Sequence, residues 1–188
     1  MHDYRQIGQM LIARGKITEQ QLQMALKGRR GSRRRIGEVL TDMGFVSELD
    51  VAECLAEQFG LQLVDPATLS PGPDALDAIP KDVALEYRVL PVRYNWKEIS
   101  CVVADPLDFP ASDMIARISG RRVLLQLAPA TQLIVAIMRA YGIVHADTPI
   151  PEVRRVRIAK IRPQTDRRAI LALLAGDAST ENALAEGR

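Results

Sequence analysis

Apolar residues recur at helical spacing over the first sixty or so positions, and the pattern occurs twice. Ile7, Met10 and Leu11 stand at i, i+3 and i+4, which puts them on one face of a helix. Gly15 predicts the stop, because glycine adopts the left-handed conformation common just past a helix end. Thr18, with Gln21 three residues later, is a capping-box pattern. A second helix is predicted from there, with Leu22, Ala25 and Leu26 as its apolar stripe. The same order then returns at one constant offset. Gly8 maps to Gly37, Leu11 to Leu40, Gly15 to Gly44, Ile17 to Val46, Leu22 to Val51 and Leu26 to Leu55. In the second copy Gly44 is the stop, Ser47 the N-cap, and Val51, Ala52 and Leu55 the stripe. Neither copy can bury its stripe alone, so the two are predicted to pack as a pseudo-symmetric unit of four short helices.

Beyond residue 60 the pattern changes. Residues 61–64 read as a short strand and 66–73 as loop, punctuated by Pro71-Gly72-Pro73. Two short helices are predicted over 74–79 and 82–87, separated by Pro80. Residues 89–94 and 99–104 read as a β-hairpin around Asn95-Trp96-Lys97-Glu98. A helix over 112–119, with Ile115 and Ile118 inward and Gly120 as its stop, leads to a third strand over 123–127. Thr131 is predicted to cap a last helix carrying Leu133, Ile134, Ile137 and Met138. The fold class is therefore α+β: a tandem-repeat helical subdomain (1–60), then a small α/β sandwich with a roughly three-stranded sheet (61–142). Residues 143–188 read as a Pro/Arg-rich linker and a helical tail. Ile170, Leu171 and Leu174 share one face of that tail, as in a weakly ordered terminus or a partner-docking helix.

The hydrophobic fraction of 47% supports a core, and the 4% aromatic content makes it an aliphatic one. A net charge of +2 gives no global case for nucleic acid or membrane. Cys54 and Cys101 lack a CxxC partner and read as small buried hydrophobes. No apolar run approaches the ~18 residues of a membrane span, and no leader opens the chain, so a cytoplasmic protein is expected. His2 and His145 have no metal-ligand spacing to the cysteines. No GxxxxGK[ST] phosphate loop and no Ser-His-Asp or Cys-His constellation is present. The expectation is a non-enzyme with neither metal nor cofactor. Arg29, Arg30, Arg33, Arg34 and Arg35 form the densest positive cluster. A charge run is usually a solvated face. Here it lies between the two repeats, where it could steer a dianion. It could also touch nucleic-acid phosphates, but no interleaved aromatics offer a stacking platform.

The two repeats resemble the tandem motif of MshEN-type domains, which open type II secretion and type IV pilus assembly ATPases. That motif begins with arginine, leucine and glycine. Paired aliphatics, a glycine with two aliphatics, two leucines and a closing glutamine follow. The spacer Arg30-Gly31-Ser32-Arg33-Arg34 has the length found between two such units. Leu90-Pro91-Val92, Val103-Ala104-Asp105-Pro106 and Ala140-Tyr141-Gly142 sit where the family's second subdomain carries similar strings. The resemblance covers about residues 4–142 and implies the fold without the ATPase domain. It also implies binding of cyclic-di-GMP. In the second copy Arg35, Ile36, Gly37, Leu40, Gly44, Val51, Leu55 and Gln58 fill the pattern, with Thr41 at one aliphatic position. In the first, Ile7, Gly8, Leu11, Gly15, Leu22 and Leu26 fit, but Gln6 stands where arginine is usual and Arg29 where glutamine is usual. Gln6 and Arg29 are expected to have exchanged roles, with Arg5 a further candidate and Arg34 beside Arg35 completing the ligand set.

These residue types suit that ligand. Arginine forks onto guanine O6 and N7, a contact worth about 1–3 kcal/mol in discrimination, or onto a phosphate. A glutamine amide both donates and accepts. The helix after each glycine is expected to offer free N–H groups to anionic oxygen, and the aliphatics a dry surface for purine faces. The implied partners are cyclic-di-GMP and a secretion or pilus machine, or its ATPase. The competing expectation is an adaptor of the same fold that docks to such an assembly and binds no nucleotide.

Overall fold

The computed structural model describes residues 3–29 and 34–145, and the expectations for the linker and tail fall outside that range from residue 146 onward. Four helices come first: α1 (Asp3–Ala13), α2 (Glu19–Gly28), α3 (Ile36–Asp42) and α4 (Glu48–Phe59). Then follow α5 (Pro73–Ala78), α6 (Lys81–Glu86), β1 (Val89–Tyr94), β2 (Glu98–Val103), α7 (Phe109–Ser119), β3 (Arg122–Leu127) and α8 (Ala130–Ala140). The class is α+β, as the sequence pattern implies.

The two repeats fold alike down to single hydrogen bonds. After α1, Gly15 N–H donates to Ile12 C=O and Lys16 N–H to Leu11 C=O; after α3, Gly44 N–H donates to Thr41 C=O and Phe45 N–H to Leu40 C=O. This is the Schellman closure, and it needs a left-handed residue. Gly15 and Gly44 supply it, at φ +66° and +70°. Thr18 caps the following helix through the expected capping box, and Ser47, expected as an N-cap, forms the same box with Asp50. The copies then interlock crosswise, α1 packing on α4 and α2 on α3. Leu11 and Leu40, at equivalent places, have zero exposure.

Gly8 and Gly37 set the distance between paired helices. A Cβ on Gly8 would lie 2.7 Å from Leu22 Cδ1, and one on Gly37 2.7 Å from Val51 Cγ1. Valine is stiff about χ1 and cannot swing a methyl aside. Gly37→Ala should therefore lower stability by about 1–3 kcal/mol through overpacking, against a gain of about 1 kcal/mol in helix propensity. Gly8→Ala should cost less, since a leucine tip has more freedom. Denaturant midpoints of the two variants check this ordering.

In the second unit β1 and β2 are antiparallel and β3 runs parallel to β2 after the α7 crossover, giving the order β1-β2-β3. Asn95 closes the hairpin, its Oδ1 accepting from Lys97 N–H at 2.8 Å and Glu98 N–H at 2.9 Å. Four sequence expectations change. Residues 61–64 form only a bridge, Leu63 to Leu127, because Asp65 and Pro66 turn the chain at once into a 3-10 turn over Pro66–Thr68. α7 starts earlier than expected, at Phe109, because Asp108 caps it through Ala111 N–H. Ile118 is 37% exposed; the inward line of α7 runs through Ala111, Ile115 and Ser119 at i, i+4 and i+8. Thr131 does not cap α8; Pro129 holds that position.

Both cysteines are buried, and burial pushes the Cys101 thiol up to about 12, which keeps it protonated. Most of the buried apolar residues form one continuous cluster through both units, with Ile134 and Met138 in a smaller second one. Extensive element packing among the described residues nonetheless stays within one unit or the other. Polar bridges also join them among the described residues. Glu48, at the start of α4, accepts from Thr131 N–H at 2.8 Å and Thr131 Oγ1 at 2.7 Å. Arg35 pairs with Asp105.

Candidate functional site

Between the units lies a cleft of about 470 Å³. One wall is the second repeat: Arg34, Arg35, Ile36, Gly37 and Thr41 around α3, with Glu48, Val51, Ala52 and Leu55 from α4. Ile7 of the first repeat joins this wall. The opposite wall comes from the α+β unit: Tyr87 and Arg88 after α6, Val103 to Asp105 after β2, Asp108 and Ala111 at α7, and Ala128 to Ala130 before α8. The site is thus a set of aliphatic faces with arginines and carboxylates interspersed.

Seven of the residues singled out from the sequence meet there: Ile7, Arg34, Arg35, Ile36, Gly37, Val51 and Leu55. The others lie elsewhere. Leu11, Leu40 and Leu22 are inside the core, and Gly8 is buried against Leu22. Gly15 and Gly44 form the Schellman turns. Leu26, Arg29 and Gln58 are half-buried and Gln6 is exposed, none of them lining this cleft. The side chain of Arg5 is outside the described set. The expectation that the helices after Gly15 and Gly44 hold free N–H groups is corrected in part. Thr18 and Ser47 take the Gln21 and Asp50 amides, and α4 opens with Glu48 and Asp50, whose carboxylates already occupy that end.

Charge in the cleft is mostly paired. Arg34 contacts Asp42 and, at 3.9 Å, Glu38. Arg35 reaches Asp105 through Nε, which leaves both terminal nitrogens of its fork uncommitted among the described residues. Burial pushes the Asp105 carboxyl above its ordinary range, and the Leu107 N–H and the Arg35 charge offset this only in part. Asp105 is thus a half-exposed acceptor held against an arginine. Nothing in the repeat pattern marks it, nor Arg88; the string Val103-Ala104-Asp105-Pro106 was the one available signal for Asp105. Among the described residues no group of three or more His, Cys, Asp or Glu is placed to hold a metal ion. No described helix is long and apolar enough to cross a membrane.

Comparison with known proteins agrees with this architecture. Residues 59–147 match the MshEN domain family. That stretch of the chain is similar to an MshEN domain. That match falls on the α+β unit, whereas the residues that suggested the family lie mostly in the helical repeats. Structural similarity spans both. A solved structure of MshE with cdg (cyclic-di-GMP) superimposes with a TM-score of 0.64 at 27% identity, covering 72% of this chain and 98% of that one. This overlap is too long to be confined to residues 59–147. The type IV pilus assembly ATPase PilB of Myxococcus xanthus is 26% identical over 72% of this chain, which spans 24% of PilB. The bacteriophage adsorption protein B of Escherichia coli K12 is 32% identical over 73% of this chain, which spans 18% of that protein. The chain therefore spans a quarter or less of the curated relatives it matches, and those relatives carry different names.

Proposed function

We propose that the inter-unit cleft binds cyclic-di-GMP and that the chain is a receptor or adaptor responding to it, tied to type II secretion or type IV pilus machinery. One observation carries the reading: Arg35, with two terminal nitrogens free to donate, stands beside the aliphatic wall of Ile7, Ile36, Val51 and Leu55 in a chain similar to MshE with cdg. A purine face can lie on the aliphatics while the fork meets its O6 and N7 or a phosphate oxygen. Asp105 is a suitable acceptor for the N1–H and amino group of a guanine. Adenine lacks that pair of donors, so the same carboxylate discriminates between the two bases. The chain itself would supply recognition and no chemistry, acting from the cytoplasm on a secretion or pilus protein.

The cleft also favours a second reading. Arg34 and Arg35 already have carboxylate partners, as an adaptor without nucleotide would require. A calorimetric titration with cyclic-di-GMP, with cyclic-di-AMP and GTP as controls, separates the two. The receptor reading expects heat with cyclic-di-GMP alone, and about tenfold or greater weakening in Arg35→Ala, as loss of a ~1–3 kcal/mol contact implies. Absence of heat from the wild type would leave the adaptor.

A further inference from the structure

We infer that Arg88 is a phosphate-binding residue of the cleft, contributed by the α+β unit. This rests on the nucleotide reading above and adds a contact outside the tandem repeats. The first observation is conformational. Wherever else the described chain turns left-handed, it uses glycine: Gly15, Gly44, Gly60, Gly120 and Gly142, each just past a helix. After α6 the same backbone state, φ +51°, is held by Arg88, the one described non-glycine residue with positive φ. A side chain there is unfavourable where glycine would not be, and such outliers gather at ligand sites. Nothing about ending α6 requires arginine.

The second observation is electrostatic. Arg34, Arg35 and Arg88 are the arginines lining the cleft. The first two are engaged by Asp42 and Asp105. For Arg88 neither an ion pair nor a side-chain hydrogen bond occurs among the described residues, although it is half-buried. A cation kept out of bulk water with no carboxylate against it is placed to take an anion from solution. The third observation is positional. Val89 pairs with Val103 in the antiparallel ladder. Arg88 precedes Val89 and Ala104 follows Val103, so both leave the same end of the ladder, where Asp105 holds Arg35. Arg35 and Arg88 thus line one cleft from opposite walls, with Asp105 engaged by Arg35 alone among the described residues. A nucleotide whose base takes Arg35 and Asp105 would carry its phosphodiester toward Arg88.

The test is titration of the full chain with cyclic-di-GMP in Arg88→Gly, Arg88→Ala, Arg88→Lys and Arg35→Ala, with ligand-free thermal unfolding of each. Arg88→Gly keeps the backbone state without the side chain. It should bind at least tenfold more weakly with Tm unchanged or raised. Arg88→Lys, which keeps a point charge, should retain more affinity than Arg88→Ala. Wild-type affinity in Arg88→Gly, with affinity lost in Arg35→Ala, overturns the role of Arg88 and leaves the nucleotide reading standing. A lowered Tm in Arg88→Gly assigns the residue to folding and overturns the inference. No heat with the wild type overturns both readings.

Discussion

Leu11→Ala and Leu40→Ala should each cost about 3 kcal/mol of folding free energy, among the largest losses available from single substitutions in this chain. Both side chains have zero exposure and stand at equivalent positions of the two repeats. Truncation removes buried methyl groups and leaves a cavity, and buried Leu→Ala changes run about 2–5 kcal/mol. Domains of this size hold about 5–15 kcal/mol in total, so either variant should shift the denaturant midpoint strongly at unchanged slope. The pseudo-symmetry adds a sharper expectation: the two losses should agree within about 1 kcal/mol, since each leucine also accepts the Schellman bond that closes its helix. A loss at Leu40 far above that at Leu11 would show that the second repeat folds on its own and the first docks onto it. Because neither side chain presents surface, affinity in the folded variants should stay within a few-fold of wild type, whatever the ligand. A separate loss of affinity in folded Leu40→Ala would assign it to the ligand face, as the tandem-motif resemblance implies.

Glu48→Ala should loosen the joint between the units and cost about 2–3 kcal/mol. The Glu48 carboxylate accepts two bonds from Thr131, and it lies at the first turn of α4 and the first turn of α8 together. A hydrogen bond to a charged group contributes about 1.5–3 kcal/mol net of the water bonds it replaces, and the two here share one partly exposed carboxylate. A negative charge near a helix N-terminus adds about 0.3–1 kcal/mol. Glu48→Gln should lose about half as much, since one amide oxygen still accepts and the charge is gone. Hydrogen exchange gives the local readout: the Thr131 amide should lose protection in Glu48→Ala ahead of the β2 amides. Equal protection in both variants would mean that the apolar core alone joins the units. Glu48 also lines the cleft, so the variant should weaken any ligand that touches both walls.

The repeat was legible because its signals are local. Gly15 and Gly44 end helices through backbone conformation, and Thr18 and Ser47 start them through bonds three residues long, so the order of residues suffices to place them. The hairpin was legible for the same reason through Asn95. Ile118 and Thr131 were misplaced because both have neighbours distant in sequence. Ile118 is spaced like a core residue, yet the line that meets the sheet passes one position away. Thr131 looks like a cap, yet its hydroxyl is taken by a carboxylate 83 residues earlier.

The repeats also hide an asymmetry that one-dimensional comparison does not weigh. In the crosswise packing, Arg14 of the first turn reaches Glu53 and Glu57 on α4. The equivalent residue of the second turn, Met43, lies where a Cβ on Gly28 would touch its methyl. One side of the pseudo-dyad is ionic and the other apolar. Lys16 and Asp50 extend the ionic side at 2.7 Å. Burial would raise the Asp50 carboxyl, but the bonds from Lys16 and Ser47 outweigh it and lower it. That contribution to stability is present above the ordinary carboxylate range and is lost as pH falls through the lowered value.

The linear order of residues by itself determined the helix ends, the doubled motif, the α+β class and the aliphatic second-repeat wall, because each depends on neighbours a few positions apart. Only the tertiary structure decided that Arg35 would face Asp105, that Arg88 would stand at a left-handed turn with no ion pair among the described residues, and that Glu48 would bind the start of α8. Those pairings join segments remote in the chain, and their energies come from packing geometry that residue order alone does not encode.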